Sequence, residues 1–269
     1  MTTVSPFQIL ALNNAQTSEN RIHSDDIAAK YGFEGALVSG ANVFGYLSQP
    51  LVRHYRESWL SSGIVDVIFL KPAYQENLLT INTEELSSEY SQRNHLTSAY
   101  NEKDVLIAKL ESWLPRQLPP INELADLYKE PAELERKEIH WDLISINQPW
   151  PSYRWNPTEA DNQERVRAQR DQAELYQGSK GFIHPYYLLE ACNKALMRQF
   201  ILPAWIHTGS RLVMRKPLQA GQEIEVRVVP TEKWKRKGHQ FIQLYVAMLT
   251  QGEVAIEVEH TAIFHIGSL

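Results

Sequence analysis

The side chain best suited to proton transfer near neutral pH stands early in this chain, in the run NRIHSDDIAAKYG at residues 20–32. Its imidazole, His23, can act as general base or acid once a carbonyl or carboxylate fixes its tautomer. The ordinary alternative is a loop histidine that caps or hydrogen-bonds within the core, with Ser24 or Asp25 as N-cap of the helix that follows. His184 precedes a proline and an apolar helical run, where capping and packing are the expected roles, and Tyr186, Tyr187 and Trp205 read as core. The basic run KWKRKGH at residues 233–239 could meet phosphates, but a solvated hairpin turn is the simpler reading. A single cysteine, Cys192, excludes internal disulfides and cysteine-cluster metal sites. No glycine-rich phosphate loop, HExxH pair or Gly-x-Ser-x-Gly elbow occurs, which argues against nucleotide hydrolysis, zinc proteolysis and α/β-hydrolase chemistry.

The elements that must position these residues show in an internal repeat. FLKPAYQENLLTI at residues 69–81 aligns without a gap on MRKPLQAGQEIEV at 214–226, so that Lys71-Pro72 falls on Lys216-Pro217. Each segment has a proline, a short polar turn and an apolar/polar alternation, the pattern of antiparallel strand, turn and strand. The same offset sets ALVSGANVFGYL against GFIHPYYLLEAC, with Ser39 opposite His184 and Gly40 opposite Pro185. YNEKDVLIAKLE then matches LTQGEVAIEVE as a hairpin of the same design.

Each half therefore reads as one helix followed by four or five strands. In the second half Leu188, Leu189, Cys192, Ala195, Leu196 and Phe200 repeat with helical period after a proline-led first turn. So wide a stripe suits the centre of a wrapped sheet. Val43, Phe44, Leu47, Leu51 and Tyr55 mark the counterpart in the first half, with a kink or late start expected at Pro50. The proline- and charge-rich run between the halves is a connector. Its boundary near residue 130 gives an N-terminal unit over 1–130 and a C-terminal unit over 131–269. NPTEADNQERVRAQRD is expected to be a short exposed helix opening the second unit.

The chain has 269 residues, 43% hydrophobic and 22% charged, an ordinary globular balance. A formal net charge of -5 argues against a general nucleic-acid binder, which needs a basic face. The N-terminal run has no basic segment followed by an apolar stretch, and no apolar run reaches bilayer length. These features predict a soluble cytoplasmic protein that binds neither nucleic acid nor membrane.

The segment NRIHSDDIAAKYGFEGALVSG at residues 20–40 resembles the hydratase signature of the MaoC-like family of (R)-specific enoyl-thioester hydratases and dehydratases. Asn20, Ile22, His23, Asp25, Ala29, Gly32, Phe33 and Gly40 stand where that pattern puts them. DVIFLKPAYQENLLTI resembles the family's strand pair after its central helix. IHPYYLLEACNKAL, PAWIHTGSRL and RKGHQFIQL look like the C-terminal unit of two-domain members, so the likeness covers most of the chain outside the connector. It implies an α+β double hotdog fold, in which each unit wraps an antiparallel sheet round a long helix.

It also implies reversible hydration of a 2-enoyl-CoA or dehydration of a 3-hydroxyacyl thioester. The acyl thioester of coenzyme A or of a carrier protein would be the substrate, with no metal or redox cofactor. Catalytic roles would fall to His23, Asn20 and Ser18, and substrate contacts to Ser39, Gly40 and Asp25. Two positions depart from the pattern: the family's catalytic aspartate is Ser18 here, and the histidine before the last glycine is Ser39. A hydroxyl at 18 can orient water but cannot replace a carboxylate as base, which leaves Glu19, Asp25 or Asp26 to supply charge. The repeat sets Ala168 opposite His23, so a site is expected in the first unit alone. Loss of the aspartate keeps two alternatives open: other acyl-thioester chemistry, as in a thioesterase or cyclase, and a non-catalytic acyl-binding subunit. A homodimer of such double units is the expected assembly.

Overall fold

The computed structural model describes residues 5–86, 94–133 and 135–267. The first half runs through β1 (Phe7–Leu10), α1 (Asp25–Lys30), α2 (Gly40–Tyr55), α3 (Glu57–Ser62), β2 (Ile64–Phe69), β3 (Leu78–Leu86), β4 (Asn94–Tyr100) and β5 (Leu106–Trp113). A connector holding the two-residue strand β6 (Lys137–Glu138) leads to β7 (Trp150–Trp155) and α4 (Glu159–Ala168). Then follow α5 (Tyr186–Gln199), β8 (Phe200–Ile201), β9 (Ile206–Met214), β10 (Ile224–Arg236), β11 (His239–Thr250) and β12 (Glu253–His265).

Ten strands form one antiparallel sheet in the order β1-β3-β4-β5-β2-β9-β12-β11-β10-β7, while β6 and β8 pair separately and in parallel. Read from the middle outward, the two halves have the same topology. They meet where β2 pairs with β9, in the register Ile64↔Val213 to Ile68↔Gly209. The offset that sets Ser39 opposite His184 also carries Asp66 onto Arg211, and these two are partners across the seam. The seam thus lies on a local two-fold axis of the repeat, closed by an ion pair of 3.0 Å between Asp66 Oδ2 and Arg211 Nη1.

The repeat extends to single hydrogen bonds. Val38 N–H donates to the Ala73 carbonyl and Ile183 N–H to that of Leu218, while isolated bridges join Leu37 to Tyr74 and Phe182 to Gln219. Glu76 takes the left-handed conformation that the second half assigns to Gly221. This is the double hotdog fold, α+β in class.

Both long helices lie against the sheet and against each other. In α2 every residue from 41 to 52 is buried, and the polar ones are paired: Asn42 Nδ2 donates to the Leu12 carbonyl at 2.8 Å and Gln49 Nε2 to that of Gln169 at 2.7 Å. The helix begins at Gly40 and runs on through Pro50. The late start expected at Pro50 therefore does not occur, and packing on all sides compensates for the missing N–H. Nor is α4 simply exposed. Its Asn162 and Val166 are buried, and Asn162 holds the start of α5 by accepting from His184 N–H at 2.9 Å.

The connector lies on the second half. Buried Glu257 of β12 accepts from Asn122 N–H, from Tyr245 Oη at 2.8 Å and from Arg215 Nε at 2.6 Å, and Arg215 also donates to the carbonyls of Pro119 and Pro120. Among the described residues no helix is long and apolar enough to cross a membrane.

Gly209 makes the seam possible, since a Cβ there would lie 2.8 Å from the Val67 carbonyl oxygen of the facing strand. Overpacking of this kind costs about 1–3 kcal/mol. Gly209→Ala should lower the thermal midpoint by several degrees, as followed by circular dichroism. An unchanged midpoint would show that the strands are not in this close register.

Candidate functional site

The loop before α1 carries His23 on a single 3-10 turn, residues Arg21–His23, capped by Asn20. Asn20 does more than cap. Its Oδ1 accepts from Ile22 N–H at 3.4 Å and from Trp205 N–H at 3.1 Å, and its Nδ2 donates to the Trp205 carbonyl at 3.0 Å. Arg21 N–H donates to the Pro203 carbonyl as well. The loop of the first half is thus stitched to the segment between α5 and β9 of the second.

His23 Nδ1 lies 2.7 Å from the Leu37 carbonyl, which can only accept, so Nδ1 carries the proton and Nε2 the lone pair. Asn20 Nδ2, 3.4 Å from Nε2, donates weakly to it. Desolvation holds the His23 imidazole below its usual range, partly opposed by the Leu37 hydrogen bond and by the charge of Glu190. At neutral pH it is an uncharged base with a fixed tautomer.

His23 lines a cavity of about 240 Å³ between the halves. Its walls are Ile22, Phe33, Val43, Phe69 and Ile107 from the first half and Trp205, Ile206 and Ile263 from the second. Asn20, His23, Ser39, Gly40, Asn193 and His207 are its polar points and backbone approaches, Lys71 is its one cation, and no carboxylate lines it among the described residues.

At one side the cavity meets the start of α2. The first N–H groups of a helix have no intrahelical acceptor and carry partial positive charge. Ser39 Oγ caps Ala41 N–H at 3.3 Å and the Ser39 carbonyl takes Asn42 and Val43, so Gly40 N–H is the donor for which the helix has no acceptor. A developing carbonyl oxyanion would be stabilised there.

Of the residues marked from sequence, His23, Asn20, Ser39 and Gly40 come together at this cavity; Ser18 and Asp25 do not line it. Ser18 Oγ accepts from Asn20 N–H at 3.2 Å, and exposed Asp25 accepts from Ala36 N–H at 2.7 Å, which shapes the approach to α2. His184 caps α5 by accepting from Tyr186 N–H at 3.2 Å, and its Nε2 lies 3.4 Å from the buried Asp171 carboxylate. The basic run is a hairpin turned at Lys237-Gly238, with Lys233 Nζ donating to the carbonyls of Trp141 and Ile144. Cys192 is buried, and burial pushes its thiol up, so it is no nucleophile at neutral pH. A more open groove of about 770 Å³ runs along α5 and β7, but it contains none of His23, Ser39 and Gly40.

Sequence reasoning missed Asn193 and His207, and it took Trp205 for core alone. Trp205 is buried and lines the cavity too, and Asn193 Oδ1, Trp205 Nε1 and His207 Nδ1 are buried without a hydrogen-bond partner among the described residues.

Burial holds His184, His207 and His260 below the usual imidazole range, His207 at about 3. In the unfolded chain each would titrate near about 6.5. Below that pH the unfolded chain binds protons the folded chain does not, so the stability they confer is complete at neutral pH. It falls as pH drops toward the folded values, by about 1.4 kcal/mol per group per pH unit. Thermal midpoints should be flat above pH 7 and decline steeply from pH 6 to 4.5, and His260→Asn should flatten the decline. Equal slopes in the two proteins would contradict this origin.

No family model matches this chain, and no curated protein matches it in sequence. Solved structures do match in fold. A MaoC domain dehydratase from Chloroflexus aurantiacus superposes with a TM-score of 0.72 at 10% identity, covering 99% of this chain and 97% of that one. A conserved hypothetical protein from Mycobacterium tuberculosis, described as a double hotdog fold, gives 0.69 at 11% identity, with 98% and 96% covered. An acyl-ACP thioesterase from Bacteroides thetaiotaomicron gives 0.50 at 11%, with 96% and 97% covered.

Proposed function

We propose that this chain is an acyl-thioester hydro-lyase that interconverts a 2-enoyl thioester and its 3-hydroxyacyl form. The observation that carries the reading is the pairing, in one seam cavity, of the tautomer-fixed His23 with the Gly40 N–H, for which α2 supplies no acceptor. The protein described as a MaoC domain dehydratase and the acyl-ACP thioesterase named above both share the fold, which supports acyl-thioester chemistry of either kind. The thioester carbonyl would lie at Gly40 N–H, and the acyl chain among Val43, Phe69 and Ile107. His23 Nε2 takes a proton from water as the C3–O bond forms, and the C2=C3 electron pair moves into an enolate held at Gly40. The imidazolium then returns its proton to C2, so water is added and the enzyme is regenerated. The lack of a lining carboxylate suits a neutral acyl group.

His23→Ala should lower kcat/KM for crotonyl-CoA or octenoyl-CoA hydration by about 10²–10⁴-fold, the usual worth of a general base. Ser18→Ala, which removes a hydroxyl that accepts from Asn20 N–H outside the cavity lining, should lower it by less than about tenfold. Because His23 titrates below its ordinary range, the acid limb of kcat/KM should fall below pH 6.5. Release of free thiol from acyl-CoA without hydration would replace this reading with hydrolysis; an acid limb above pH 7 would remove His23 from the base role.

A further inference from the structure

We propose that His207, on β9 of the second half, is a hydrogen-bond acceptor of the cavity besides His23 and holds the water that adds to C3, or the 3-hydroxyl formed from it. The assignment rests on the acyl-thioester reading above and completes its water site. His207 Nε2 lies 3.2 Å from the Gly209 carbonyl and 2.9 Å from Ser210 Oγ. A carbonyl only accepts, so Nε2 carries the proton and Nδ1 the lone pair. Ser210, accepting from Nε2, donates in turn to His260 Nδ1 at 3.1 Å. The chain His207–Ser210–His260 therefore runs from donor to acceptor away from the cavity and fixes the tautomer.

Nδ1 is buried and without a partner among the described residues, a costly state for an acceptor. It lies against the start of α2, since a Cβ on Gly40 would be 3.0 Å from it. The positive end of that helix disfavours a proton on Nδ1, so the nitrogen stays an acceptor. The Phe69 ring meets the imidazole edge to face at 4.8 Å and holds it there.

The backbone adds a device for this aim. His207 pairs with Ala262 and Gly209 with Thr261, so Thr208 is an extra residue on β9. Such a bulge reverses the inward and outward alternation, and it lets His207 and Ser210, three apart, both face inward.

Two neutral imidazoles from opposite halves thus line the same cavity. A water molecule there gives one O–H to His23 Nε2, the proton it loses, and the other to His207 Nδ1, the proton it keeps as the product hydroxyl. Its own lone pair is left for C3.

Binding of 3-hydroxybutyryl-CoA and of butyryl-CoA by calorimetry tests this. The wild type should prefer the hydroxy form at least fivefold, and His207→Phe should erase the preference and lower kcat more than it raises KM. His207→Asn, whose amide oxygen can stand near the Nδ1 position, should restore part of both. In the unmutated protein labelled with ¹⁵N-histidine, His207 Nδ1 should be unprotonated and shift with 3-hydroxybutyryl-CoA but not with butyryl-CoA, a result that does not depend on any variant folding. A preference unchanged in His207→Phe, or a protonated Nδ1 in the free protein, overturns the assignment while leaving the acyl-thioester reading intact. Failure of the wild type to bind either ligand overturns both.

Discussion

The pairing of β2 with β9 is the contact on which the rest depends. Each half of this chain is a sheet with an open edge and a helix too apolar to stand alone. Joining the two edges in register buries both long helices in a continuous core and removes the edge at the middle of the sheet. Because the join lies on the local two-fold axis, the strand after the central helix of one half runs beside its counterpart in the other. The segment leading into β9 must then pass over the first half's His23 loop, and the Asn20 amide locks onto the backbone of Trp205. The cavity is a product of the join and belongs to neither half.

The two halves differ at equivalent positions. The first half keeps a loop and short helix that present His23 to the seam. The second places the largely polar α4 there, with Asn162 tied to the start of α5. The central helices differ likewise. At the start of α2 a glycine leaves an open N–H, whereas at the start of α5 proline and the buried His184–Asp171 pair close the same place. Asp171 also lies 3.7 Å from Arg53 of α2, so the closed end serves to bind the helices together. One helix terminus is free to meet a ligand, and the other is spent on packing.

Much of this was legible in the residues. The Lys-Pro turns and the alternation after them mark the repeat because the same strand, turn and strand require the same chemistry twice. His23 and Asn20 stand in a recognisable signature, and the single 3-10 turn that joins them is local. What could not be read was everything that depends on tertiary phase. The Thr208 bulge turns His207 inward, and no pattern of apolar residues announces an extra residue in a strand. Trp205 looked like core, and it is, but its backbone also holds Asn20 from 185 residues away. Ser18 and Asp25 lie in the signature yet outside the cavity lining, since neighbours in a loop need not point the same way. Pro50 suggested a kink or a late start, and the helix nonetheless begins at Gly40.

The central claim is that an acyl thioester lies across the seam with its carbonyl at the start of α2. A crystal structure with the ketone analogue of 3-hydroxybutyryl-CoA, in which a methylene replaces sulfur, tests it most directly. The account predicts the carbonyl oxygen within hydrogen-bond reach of Gly40 N–H, and the acyl chain between the β2 and β9 sides of the cavity. Density for the acyl group in the groove along α5 and β7 instead, with the seam cavity empty, would contradict it.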